Sequence, residues 1–315
     1  MPNVALVLGA GGVTGGAFHA GVLAALAEAT GWDARTAELV IGTSAGWATA
    51  AALRAGLSPA DMAARAQGDA LSDEGATLLS AAGVPTGPPP VPSGARPRLG
   101  RPAAPEIVAG ALRRPFQTRP SAVLAGLLPA GTVATDGIVQ SIDALHPNGW
   151  PAKPMWVCAV RLRDGALVVF GRNGAPDTRV GVAVAASCAI PGFFAPVEIG
   201  GDRYIDGGAH SLTNVGEVAS TTPDLVLVSS PMSRAGGRYS PGSAIRAAGR
   251  AQLGVEVQRL RRRGIPVVTF QPSPADERAM GLNAMDPARR ADVVRQVRTS
   301  TLARIETVRD RLDAL

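Results

Sequence analysis

The chain has 315 residues, with 38 Gly and 26 Pro, yet 46% of residues are hydrophobic and no Gly-X-Y period runs through it, which excludes a collagen-like chain and wholesale disorder. Its 31 Lys and Arg against 25 Asp and Glu give a net charge of +6, but 4% aromatic content and the lack of zinc-finger or RNP-like patterns argue against a nucleic-acid partner. Two cysteines, Cys158 and Cys188, are too few for a disulfide framework, so a reducing compartment is the default.

Met1–Ala27 carries no charged side chain. No basic stretch precedes Val4, and Gly9, Gly11, Gly12, Gly15 and Gly16 interrupt the apolar run, so neither a leader nor a membrane span is expected. The expected location is cytoplasmic. Val4–Leu8 is a short aliphatic run ending in glycines and reads as a buried strand. Gly15–Ala29 reads as a helix, Glu38–Ile41 as a second buried strand, and Ser44–Ala55 as a helix stopped by Gly56. Ser58 and Pro59 open the next helix. This strand–helix alternation predicts an α/β fold with a parallel sheet and right-handed crossovers.

Pro85–Pro105 holds eight prolines, and Arg96–Arg119 adds six Arg against one acid, Glu106. A Pro/Arg-rich insertion is expected at about 84–120, either a solvated excursion or a lid or membrane-contact loop. Met155–Arg161 and Ala166–Phe170 read as a strand pair and Arg179–Ala189 as a helix. A short strand, Arg203–Ile205, precedes Asp206-Gly207-Gly208. Two further strands, Leu225–Ser229 and Ile265–Phe270, flank a helix around Ala244–Arg263. The chain closes on an amphipathic helix at about 287–313, with Val294, Val297, Thr301, Ile305, Val308 and Leu312 on one face.

Three glycine-bearing turns carry the chemistry. Gly42-Thr43-Ser44-Ala45-Gly46 fits G-x-S-x-G between a strand and a helix. That context exposes a serine hydroxyl at the carboxyl end of a sheet. The spacing recurs by chance in a glycine-rich chain; the strand–turn–helix setting raises its weight. Gly9–Gly16 presents backbone N–H groups at a helix N-terminus, which suits an oxyanion hole, a dinucleotide cradle or a plain tight turn. Strict G-x-G-x-x-G fails at Thr14, and the second strand ends in the serine turn rather than in a ribose-binding acid; Asp33 precedes that strand. Asp206-Gly207-Gly208 is either an ordinary turn or a base meeting Ser44 in space. The three histidines, His19, His146 and His210, are poorly placed for a Ser-His-Asp triad, which favours a Ser–Asp dyad.

Taken in order, Gly11-Gly12…Leu23, Gly42–Gly46, Ala186–Pro196 and Asp206–Gly208 resemble the blocks of patatin-like phospholipases (patatin-like acyl hydrolases). The resemblance implies a single domain over 1–315 with a three-layer α/β/α fold and a mostly parallel central sheet. It implies hydrolysis of lipid or phospholipid acyl esters, with no metal or other cofactor required. Ser44 would be the nucleophile, Asp206 the general base, and backbone N–H groups of Gly11, Gly12 and Val13 the oxyanion hole. Implied partners are a lipid or acyl-ester substrate and, through the Arg cluster, peripheral contact with an anionic membrane; oligomeric state stays open. Two departures stand out. Val13 replaces a glycine and Gly15 replaces a basic residue of the family's glycine run, which keeps open a weakly active or inactive binding protein. An NADP-dependent oxidoreductase is the third class.

Overall fold

The computed structural model describes residues 2–89, 127, 131–233, 241–312 and 315, with only the backbone described for 241–244. The expected Pro/Arg-rich insertion lies outside the described residues from position 90 to 120.

Eight strands form one sheet: β1 (Val4–Leu8), β2 (Leu39–Gly42), β3 (Met155–Arg161), β4 (Leu167–Phe170), β5 (Val197–Ile199), β6 (Asp202–Asp206), β7 (Leu225–Ser229) and β8 (Val267–Phe270). Their order is β5-β6-β3-β2-β1-β7-β8, with β4 also on β3. The strands from β3 to β8 along this order pair in parallel, whereas β4, β5 and β6 pair antiparallel. The sheet is thus mostly parallel with an antiparallel side that the strand–helix alternation of the first half does not predict.

Residues of β1 alternate between two cores. Leu6 and Leu8 join one cluster, and Ala5 and Val7 join the other. Burial on both faces is why this strand reads as an unbroken apolar run. On the first face lie α1 (Gly12–Thr30), α2 (Ala45–Ala55), α3 (Pro59–Gln67) and α9 (Arg290–Glu306). On the second lies α7 (Pro241–Arg262), through Leu253, Val257 and Leu260. Four further helices complete the described residues: α4 (Asp73–Ala81), α5 (Asp136–Leu145), α6 (Val180–Cys188) and α8 (Pro274–Met280).

Helix α1 is apolar over most of its circumference because most of it is enclosed, with Gly16, Ala24 and Ala27 half-buried and Glu28 exposed. Phe18, Val22, Leu23 and Leu26 are all buried. It begins three residues before the expected Gly15. Gly11 serves as its N-cap, and the Thr14 N–H donates to Ala284 O at 3.0 Å, a contact with the far end of the chain that local sequence does not reveal. Gly56 and Gly68 end α2 and α3 in the left-handed conformation, and Ser58 caps α3 by accepting from the Asp61 N–H, as the residue types there dictate. The predicted face of the last helix is the buried one: Val294, Val297, Thr301, Ile305, Val308 and Leu312 all pack inward. Regular α-helix covers less of this segment than expected, with short 3-10 turns at Pro287–Arg289 and Arg309–Arg311.

Candidate active site

Three loops meet at the carboxyl ends of the central strands, and the register explains how. Leu8 pairs with Gly42, so β1 and β2 end side by side and release the Gly9–Gly12 and Gly42–Gly46 turns together. Strand β3 then brings in the third. Its residues 157–160 pair with β4 along one edge. Along the other edge it pairs first with β2, through Val157 and Gly42, and then with β6, through Ala159 and Asp206. Because β2 runs parallel to β3 and β6 antiparallel, their carboxyl ends point at each other across Cys158. Two residues of strand amount to roughly 7 Å, so residues leaving β2 and β6 here are within side-chain reach.

Ser44 lies between β2 and α2 with φ 51° and ψ −120°. A non-glycine residue at positive φ costs on the order of 1–3 kcal/mol and persists only where its surroundings hold it. The glycines on either side make that turn possible. A Cβ at Gly42 would lie 2.8 Å from Trp47 N, and one at Gly46 would overlap the Leu8 carbonyl. Ser44 is buried, and its N–H donates to Ser187 Oγ at 3.1 Å.

Asp206 ends β6 and is also buried. Its Oδ1 accepts from Gly208 N at 2.7 Å. Burial pushes its pKa up from 3.8 to about 6, while hydrogen bonds from the Ser44 hydroxyl and the Gly208 N–H draw it back down. Gly207 is required where it sits, since a Cβ there would overlap the Cys158 carbonyl.

The Gly9–Gly16 segment stands beside these turns. A Cβ at Gly15 would be 3.6 Å from the Ala45 Cβ, and one at Gly208 would be 3.5 Å from the Ala10 Cβ. The Gly15 N–H turns back to Gly11 O at 2.9 Å and the Thr14 N–H goes to Ala284 O. The N–H groups of Gly11, Gly12 and Val13 precede these first bonds of α1, at the positive end of the helix. Gly12 has φ 63°, and a Cβ on it would meet Ala284 O at 2.8 Å and Met285 Sδ at 3.2 Å. The loop between α8 and α9 therefore closes one side of this turn, and Pro231, near Gly11 and Gly15, closes another.

The histidines are engaged elsewhere. His19 is fully buried, with Nε2 at 2.8 Å from Gly9 O and Nδ1 at 2.7 Å from Ser229 Oγ. A carbonyl can only accept, so the proton sits on Nε2, and burial lowers the pKa to about 4. His19 ties α1 to the ends of β1 and β7. His146 Nε2 donates to Ala51 O at 3.1 Å, and His210 Nδ1 is 3.0 Å from Asn214 Oδ1. Asp33 is spent on capping a 3-10 turn and on an ion pair with Arg35 at 2.8 Å. Among the described residues, no group of three or more His, Cys, Asp or Glu is placed to hold a metal ion. Nor is any described helix long and apolar enough to cross a membrane.

Several residues at the site escaped the sequence reading. Ser187 touches Ser44 from α6, Asn214 binds Thr43 from beyond the Asp206 turn, and Ala284 binds α1 from the chain's last fifth. Ser187 lies in the Ala186–Pro196 block, whose one signal in the sequence is its resemblance to a block of the patatin-like phospholipases. Thr43–Asn214 and Ser44–Ser187 are separated by 171 and 143 residues, so no local pattern links them.

The patatin-like phospholipase family profile matches residues 6–219, which include all three glycine turns. No curated protein matches the chain significantly. Among solved structures, VipD from Legionella pneumophila is similar over 98% of this chain and 67% of its own, at 13% identity and a TM-score of 0.44. With more than half of its length matched, this α/β chain belongs to the patatin-like phospholipase family, whose members are lipid acyl hydrolases.

Proposed function

We propose that the protein hydrolyses acyl esters of lipids or phospholipids through a Ser44–Asp206 dyad and an acyl-enzyme intermediate. The observation that carries this reading is a serine held at positive φ against a buried carboxylate whose pKa is raised to about 6. An ordinary aspartate is a weak base; burial raises its basicity while leaving it ionised at neutral pH.

Ser44 Oγ attacks the acyl carbonyl carbon as its proton passes to Asp206. The carbonyl oxygen, now negative, is held by the N–H groups of Gly11, Gly12 and Val13. Replacing a glycine by valine at position 13 leaves the backbone donor in place. Collapse of the tetrahedral intermediate breaks the ester C–O bond, and the departing alkoxide takes the proton from Asp206. Water then attacks the acyl-Ser44 carbonyl, giving its proton to Asp206, and the proton returns to Ser44 as the fatty acid leaves. Among the described residues, the hydrogen bonds of Ser44 and Asp206 that involve a side chain run to Ser187, to Gly208 and to each other, with no histidine among them. We extend the proposal to peripheral contact with anionic membranes, supported by the net charge of +6 and the Arg cluster of positions 96–119.

Ser44→Ala and Asp206→Asn should each lower p-nitrophenyl ester hydrolysis by at least a thousandfold, and a fluorophosphonate probe should label Ser44 alone. Substantial activity in either variant sinks the dyad. Gly15, standing where the family carries a basic residue, favours a weakly active or inactive binding protein as the second reading; absence of probe labelling in the native protein would select it.

A further inference from the structure

Only two non-glycine residues in the described structure have positive φ, Ser44 and Asn214, both at 51°. They lie in turns joined by one amide. Asn214 Nδ2 donates to Thr43 Oγ1 at 3.0 Å, to Ser211 O at 2.9 Å and, at 3.4 Å, to Gly207 O. Two of these acceptors are carbonyls, so the amide orientation is determined: the NH2 group faces them and Oδ1 faces His210 Nδ1. The amide therefore spans from the residue before Ser44 to the residue after Asp206. Asn214 is itself held by its N–H, which donates to Ser211 Oγ at 3.0 Å.

The opposite side is closed by Ser187, which has no exposure to solvent. Its hydroxyl accepts from Ser44 N–H at 3.1 Å and donates to Cys158 O at 2.6 Å. That carbonyl sits where β2 and β6 part along the edge of β3, and Gly207 rests on it. The contacts form a ring: Thr43, Ser44, Ser187, the Cys158 carbonyl, Gly207, Asn214, and back to Thr43. The ring reaches the dyad directly at Ser44 and, through Gly207, at the residue covalently next to Asp206.

We propose that Asn214 and Ser187 are positioning residues that hold the Ser44 and Asp206 turns in register, acting on the reaction through those two residues without touching substrate. This rests on the dyad reading above. Asn214 also explains its own backbone. Asn tolerates the left-handed conformation better than other side-bearing residues and supplies the amide at the same position.

The test separates backbone from amide. Asn214→Gly keeps the left-handed turn and removes the bridge; Thr43→Val removes its acceptor at nearly constant shape. Each should lower kcat on a short soluble p-nitrophenyl ester by roughly ten- to a hundredfold, the effect of an ångström-scale misplacement. KM should stay within about twofold and fluorophosphonate labelling of Ser44 should slow in parallel. The Asn214→Gly/Thr43→Val double variant should lose no more than the worse single variant, because both remove one bridge. Ser187→Ala should give the same split between kcat and KM, with partial recovery in Ser187→Thr. Wild-type kcat in Asn214→Gly, or multiplicative losses in the double variant, overturns the proposal for Asn214; should Asn214→Gly fail to fold, Thr43→Val and Ser187→Ala decide it by the same readouts. Full activity in Ser44→Ala would instead remove the dyad reading itself, a result independent of these variants.

Discussion

Asp206 couples the proposed chemistry to stability, and the two effects run in opposite directions with pH. As a base it must be ionised, so kcat/KM should rise with pH through a midpoint near 6, the raised pKa. Stability moves the other way. The folded carboxyl holds its proton up to about 6, whereas the unfolded one releases it near 3.8. Between those values the native state binds more protons than the unfolded state, so this group's contribution falls as pH rises. Asp206→Asn should therefore be more stable than wild type at pH 8 by on the order of 3 kcal/mol, with the gain vanishing near pH 3.5. Denaturant melts of both proteins at the two pH values check this; equal stability at pH 8 would contradict the burial argument. His19 acts in the reverse sense, because its pKa is lowered to about 4 and stability is lost as pH falls from 6.5 toward that value. Comparing variant with wild type at each pH cancels that common contribution.

At the scale of elements, two contacts bring the C-terminal region back onto the first helix. The first is α1 against α9. A Cβ on Gly21 would approach Val294 O at 2.9 Å and the Val297 side chain at 3.0 Å, so the two helices meet at a glycine. Gly21→Val should cost about 1–3 kcal/mol by overpacking, read as a lowered denaturation midpoint with an unchanged m-value. The second is the loop from Gly281 to Arg289. Its Ala284 carbonyl takes the Thr14 N–H and crowds Gly12, so the turn offered as an oxyanion hole is shaped from outside the family-matched residues 6–219. Gly12→Ala should lower kcat/KM at least tenfold and reduce stability, since the new methyl meets both a positive φ and the Ala284 carbonyl. Gly16→Ala, in the same helix but with open space at the Cβ position, should be stabilising by several tenths of a kcal/mol. Similar thermal melts for the two variants would refute this account of the turn.

At the scale of the molecule, legibility followed burial and local chemistry. Strands β1, β3 and β7 stand where their apolar runs are, because each is buried on both faces and solvent cannot break the pattern. Helices α2 and α3 end at Gly56 and Gly68 because only glycine enters the left-handed conformation without cost. Helices α4, α5 and α8 were not read from the sequence. Each is 10 residues or shorter and buries a single large apolar side chain, Leu79, Ile142 or Met280, too few to mark a helical period. Strand β5 is three residues long and directly follows Pro196, too short to show an alternating pattern; it is fixed by pairing with β6 and by Ile199 entering the core.

The same division applies to the site. Residue types and order alone determined the three glycine turns, the strand–turn–helix setting of Ser44 and the misplacement of the histidines, because these depend on backbone freedom and near neighbours. Tertiary structure decided that Ser44 and Asp206 face each other, through β2 and β6 converging on one edge of β3. It also decided the pKa of Asp206, since burial is a property of the assembled core and not of the Asp-Gly-Gly turn. Ser187, Asn214 and Ala284 entered only with the fold: a hydrogen bond across more than a hundred residues leaves no periodic mark in the chain, only a distance once the chain has closed on itself.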